Sequence, residues 1–153
     1  MPPVVSGPIL GQSSVCLPVL RALPEWFGIE AALLNYEKEL DGLPTFLVKE
    51  AGRVLGFLSL KQHTLYSAEI YVMGVRPEAQ GAGLGRELVQ AAEAHARRLG
   101  IEYLQVKTLG PSNPDPGYAK TRAFYTAMGF RPLEEFKTLW DENNPCLILV
   151  KRL

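Results

Sequence analysis

Val75-Arg76-Pro77-Glu78-Ala79-Gln80-Gly81-Ala82-Gly83-Leu84-Gly85 joins an apolar run to an amphipathic one, and the rest of the chain can be placed around it. Glycines at alternate positions let the backbone approach a ligand closely. Their N–H groups, with the first unpaired amides of a following helix, make a concave site for a phosphate or diphosphate, reinforced by the helix dipole. Two familiar phosphate loops are excluded. A dinucleotide fingerprint would need glycine at Arg86 or at Leu88, and a Walker A loop needs a Gly-Lys-Ser/Thr that is absent. A loop of this composition also serves as a tight structural turn, so its flanks matter.

Upstream, Ala68 to Val75 (AEIYVMGV) is apolar on both alternating faces except at Glu69, the pattern of a central strand with one out-of-place carboxylate. Thr45 to Lys49 and Val54 to Lys61 predict a hairpin about Glu50-Ala51-Gly52-Arg53. From Glu25 to Leu40, Trp26, Ile29, Leu33, Tyr36 and Leu40 recur with helical spacing, and Asp41-Gly42 ends the run. Val15 to Leu20 predicts a first strand, and residues 1–14, broken by Pro2, Pro3, Pro8 and Gly11, an irregular tail. Residues 15–153 then form one domain.

Downstream, Leu84 to Leu99 predicts an amphipathic helix with Leu84, Leu88, Ala91, His95 and Leu99 inward and Arg86, Gln90, Glu93 and Arg97 outward, capped by Gly100. Tyr103 to Leu109 is a strand. Three prolines between Gly110 and Gly117 exclude regular structure there, Ala119 to Met128 is a helix ended by Gly129, and Phe130 to Leu139 and Cys146 to Lys151 are strands. The expected fold class is α+β, with a mostly antiparallel central sheet of about six to seven strands and helices on both faces.

Sixteen basic residues balance sixteen acidic ones, which leaves no surplus field for sequence-independent binding of nucleic acid or an anionic membrane. Cys16 and Cys146 sit in apolar runs and read as buried free thiols, neither of them beside a histidine that would activate it. The N-terminus lacks the basic and continuous apolar regions of a signal peptide, and Cys146 to Val150 is far short of the ~18 residues of a membrane span. A cytoplasmic protein is expected. His63 has no partner at metal-ligand spacing, so no metal site is expected.

The glycine loop and the strand before it resemble the Q/R-x-x-G-x-G/A acetyl-CoA motif of the GNAT superfamily of N-acetyltransferases. Ala123-Phe124-Tyr125-Thr126-Ala127-Met128-Gly129-Phe130 resembles that family's later helix, with a tyrosine, three residues and Gly-Phe. Two motifs in order, about 40 residues apart and each in its expected context, are more specific than either alone. The resemblance spans roughly residues 15 to 151.

It implies acetyl-CoA as cosubstrate, with the backbone of Met73, Gly74 and Val75 along the pantetheine arm. Gln80, Gly81, Ala82, Gly83, Leu84, Gly85 and Arg86 would hold the pyrophosphate. Many relatives carry an asparagine seven residues before the tyrosine to bind pantetheine; Tyr118 stands there instead, and is assigned to the cofactor site in its place. Acetyl transfer to an amine needs a base, a polarised carbonyl and an acid for the departing thiolate. Glu69, set on one face with Tyr71 and Met73, is the base candidate, the alternative being an exposed residue at the strand's end. Tyr125 matches the family's acid, the alternative being a packed helical tyrosine. Trp26 is expected in the core rather than at the acceptor. The implied partners are a small-molecule or protein amine and, through the C-terminal strands, a second copy. A non-catalytic acyl-CoA-binding or sensing module is the competing function; it would need the Gly83 loop without Glu69 and Tyr125 in the cleft.

Overall fold

A computed structural model describes residues 2–153. Its elements are β1 (Val4–Ile9), α1 (Ser13–Arg21), α2 (Pro24–Phe27), α3 (Glu30–Leu40), β2 (Thr45–Glu50), β3 (Arg53–Gln62), β4 (Ser67–Val75), α4 (Leu84–Arg98), β5 (Tyr103–Leu109), α5 (Pro116–Ala127), β6 (Arg131–Asp141) and β7 (Asn144–Arg152). The seven strands form one sheet in the order β1-β2-β3-β4-β5-β7-β6. Only β4 and β5 run parallel; every other neighbouring pair is antiparallel. The α+β class, the strand number and helices on both faces are as the sequence indicates.

Two apolar clusters separate the faces. Phe46, Val48, Leu58 and Ile70 pack against Leu88, Val89 and Ala92 of α4 and Tyr125 near the end of α5. Leu47, Phe57 and Val72 meet Cys16, Val19 and Leu20 of α1 and Leu33 and Leu40 of α3. Period-two alternation along β2 therefore divides Phe46 and Val48 from Leu47. No helix among the described residues is long and apolar enough to cross a membrane.

The N-terminal expectations are overturned. The tail contains β1, an edge strand paired with β2 from Val4↔Lys49 to Ile9↔Thr45. An edge tolerates Pro8, and Gly7 at φ +124° is required there, because a Cβ would lie 2.6 Å from the Thr45 carbonyl oxygen. Val15–Leu20 is not a strand but the body of α1, with Cys16, Val19 and Leu20 buried at helical spacing. A short, wholly apolar run carries no period that distinguishes the two. The expected helix from Glu25 to Leu40 is broken at Gly28-Ile29, and Ile29 is exposed.

Further along, α5 begins at Pro116 rather than Ala119, because Asp115 is a true N-cap, its Oδ1 accepting from Gly117 N and Tyr118 N. Glu93, expected on the polar face of α4, is buried. It accepts 2.7 Å from Lys151 Nζ, which also donates to the Met128 carbonyl and so ties α4 to β7 and the end of α5. Leu99, expected inward, is exposed. Cys16 and Cys146 are buried free thiols.

Candidate active site

A cleft opens where β4 and β5 part. Their parallel ladder runs from Ser67↔Tyr103 to Ile70↔Val106 and stops. On the other side of β4, the pairing with β3 skips Tyr71 between Ile70↔Leu60 and Val72↔Ser59. That bulge turns two consecutive side chains, Tyr71 and Val72, to the α1/α3 face, and Met73 and Val75 to the α4 face. Met73 therefore does not share a face with Glu69 and Tyr71 as the alternation predicts. Beyond the bulge, the edge of β4 that faced β5 is released from the ladder, leaving the backbone of Met73, Gly74 and Val75 beside the cleft.

The cleft holds about 700 Å³. Gln80, Gly81, Gly83, Leu84, Gly85 and Arg86 line one end; Ala82 does not. Gln80 reaches back to donate 2.9 Å to the Val75 carbonyl, fixing the loop to the strand end. Gly81 at φ +85° and Gly83 at φ +81° are left-handed, with nothing within 4 Å of where a Cβ would stand. Backbone geometry, not crowding, requires glycine there, and the space before the free amides of α4 is open. Gly85 differs: a Cβ there would lie 3.2 Å from Phe124 Cζ, so its absence lets α5 close onto the start of α4.

Tyr125 lies in the same cleft but is 5% exposed, its ring edge-on to Phe124 and Phe130 at centroid distances of 5.2 and 5.6 Å. It is packed and cleft-lining at once. Burial pushes its phenol up, so it holds its proton. Tyr118 lines the cleft with its hydroxyl donating 3.3 Å to the Trp26 carbonyl. Trp26 is half-buried and cleft-lining rather than a core residue.

Glu69 is 4% exposed and lines the far end, which removes the reading of it as a solvent-end residue. Its Oε1 accepts from His63 Nε2 at 2.7 Å and from Lys107 Nζ at 3.3 Å. Phe27, Tyr36 and Tyr71 stack edge-to-face at 6.0 and 5.8 Å and, with Trp140 of β6, make that end aromatic. Burial raises the Tyr36 and Tyr71 phenols, with Glu69 and Glu39 adding in the same direction.

Sequence reasoning missed several cleft residues, Lys107, Thr108 and Trp140 among them, and Lys107 and Trp140 carried no motif. Thr108 lines the cleft from β5 and is buried, and its Oγ1 is the one buried side-chain polar atom without a hydrogen-bond partner among the described residues. Thr108 takes the place after Leu104 and Val106 on the buried alternating face of β5, and a polar residue at that register was the available signal. No cluster of three potential metal ligands occurs among the described residues.

A model of the acetyltransferase (GNAT) family matches residues 19–130, most of the chain and both ends of the cleft. The chain belongs to the GNAT acetyltransferase family. Within it, the chain is similar to the mycothiol acetyltransferases of Actinosynnema mirum, 32% identical over 111 residues, and of Saccharomonospora viridis, 36% identical over 105. Those matches cover 72% and 63% of this chain but 31% and 32% of the relatives, so it spans about a third of their length. Among solved structures, a GNAT-family chain of Desulfovibrio desulfuricans superposes with a TM-score of 0.87 at 19% identity, covering 99% of each chain. An Elizabethkingia anophelis GNAT acetyltransferase with acetyl-CoA bound gives 0.75 at 15% identity, covering 99% of this chain and 98% of its own. At those identities the likeness is one of fold.

Proposed function

We propose that the protein transfers an acetyl group from acetyl-CoA to a primary amine by direct attack in a ternary complex. The observation that carries this is that Glu69, Tyr125 and the Gly81–Arg86 loop, far apart in sequence, line one cleft. A binding or sensing module would need only the loop.

The residues divide the work. The left-handed glycines and the open amides of α4 suit the diphosphate, and the free edge of β4 from Met73 to Val75 suits the amide-rich arm as an added strand. Backbone amides of the Met73 to Val75 segment polarise the acyl carbonyl. Glu69 takes the proton of the attacking amine as the N–C bond forms. Tyr125 gives its proton to the sulfur as the C–S bond breaks. Lys107, Glu69 and the aromatic walls face the acceptor, a small-molecule or protein amine. The proposal includes a homodimer through β6, the edge strand on which Leu133, Leu139 and Trp140 are exposed.

Release of free thiol from acetyl-CoA over a panel of amino acids, polyamines, aminosugars and peptide N-termini tests the assignment. Amine-dependent release with stoichiometric acetylated product is expected. CoA binding without turnover across the panel favours the sensing module.

A further inference from the structure

The mechanism above uses Glu69 but leaves unexplained why both donors meet one of its oxygens. His63 Nε2 lies 2.7 Å and Lys107 Nζ 3.3 Å from Oε1, from opposite sides in the fold: His63 follows β3, and Lys107 is on β5. Neither bonds Oε2, which has no protein partner among the described residues and is not sealed from the cleft. A carboxylate with one oxygen held by two donors cannot rotate freely, and its second oxygen is presented in a fixed direction. His63 sits in a turn anchored by its own backbone, its N donating 3.0 Å to the Ser67 carbonyl, so its Cα is held beside the strand that carries Glu69.

We propose that His63 is a positioning residue for Glu69: its Nε2–H holds Oε1 so that Oε2 meets the acceptor amine. This rests on Glu69 being the base. The remaining groups facing Glu69 are Lys107 on β5, Lys61 paired opposite it on β3, Tyr36 on α3, Tyr71 on β4 and Cys146 on β7. Lys61 lies 5.2 Å from the Tyr71 ring centroid and is engaged there. The Cys146 thiol is pushed up by burial to about 11 and stays neutral. His63 is thus the short donor, and Lys107 the longer, weaker one.

In His63→Ala the Glu69 carboxylate loses its short donor, and kcat should fall about 10- to 100-fold, the range of a lost bond to a charged group. KM for acetyl-CoA should stay within about twofold, since His63 lies outside the residues lining the cleft. His63→Gln, whose amide nitrogen reaches the Nε2 position, should restore kcat; the shorter His63→Asn should not. Tyramine, an amine suited to the aromatic walls, serves as acceptor, and crystal structures of the variants decide if it is not turned over: the Glu69 carboxylate should turn from its direction in His63→Ala and keep it in His63→Gln. An unmoved carboxylate in His63→Ala, or a Gln variant no better than Ala, overturns the proposal. Full activity in Glu69→Gln would overturn the base assignment itself, whereas an impaired Glu69→Gln beside a silent His63→Ala would overturn only the positioning role.

Discussion

Ile70 and Val106 are the last partners in the parallel ladder of β4 and β5, and one residue later Tyr71 is bulged out of the pairing with β3. The two interruptions coincide, so the strand leaves both neighbours' regular geometry at one point. A cleft follows from the sheet itself, with backbone groups on its wall, and the catalytic candidates flank it: Glu69 just before the break on β4, Tyr125 near the end of α5.

In the proposed function Gly83 belongs to the end of the cleft that takes the diphosphate. CoA should raise the melting temperature of the wild type, because a ligand that binds only the folded state stabilises it. Gly83→Asp should abolish that shift by placing a carboxylate before the amides of α4. Its φ of +81° means that any side chain there also costs some stability, so Gly83→Asn is the control: it tolerates the left-handed region and carries no charge. The Asn variant should keep part of the CoA shift. Equal shifts in wild type and Gly83→Asp, measured by thermal unfolding, would remove the loop from the site.

Glu69→Gln retains shape and can still accept from His63 and Lys107, but cannot take a proton. kcat/KM should fall by about 10²- to 10⁴-fold, with the loss greatest at low pH, where the acceptor amine is mostly protonated, and smaller at high pH. A pH–rate profile checks this. A loss equal at every pH would make Glu69 an orienting group only.

Tyr125→Phe deletes one hydroxyl from a packed ring whose contacts with Phe124 and Phe130 remain, so the fold should survive. kcat should drop about 10²- to 10⁴-fold while KM for acetyl-CoA changes little. The deficit should shrink with an acyl donor whose leaving group is more acidic than the CoA thiol. The same deficit with both donors would confine Tyr125 to packing.

Thr108 offers a test of stability apart from activity. Its buried hydroxyl has no protein partner among the described residues, and an orphaned polar group costs about 1–3 kcal/mol. Thr108→Val, nearly equal in shape, should raise the melting temperature of the ligand-free protein by roughly 2–4 °C per kcal/mol recovered. A lower melting temperature in calorimetry would mean that the hydroxyl is hydrogen-bonded in solution.

The sequence by itself determined the features that are local. The glycine loop lies between a strand and a helix, Tyr125 precedes Gly129-Phe130 on a short helix, and the β2–β3 hairpin and α4 have the periods and caps that specify them. Each depends on residues within one or two turns of chain, where spacing and backbone preference are enough. The structure alone decided the rest. Val15–Leu20 is a helix because its faces are set by what packs on them, Asp41 accepting from Ser13 N at one end and the sheet covering Cys16, Val19 and Leu20. Glu93 is buried because Lys151, 58 residues away, is there to meet it. Above all, Glu69 stands beside His63 and Lys107, and Met73 is turned away from the face of Glu69 and Tyr71, only because a bulge and a parallel pairing bring three separate segments into register. Burial and ion pairing across strands depend on that register, which no local pattern of residues encodes.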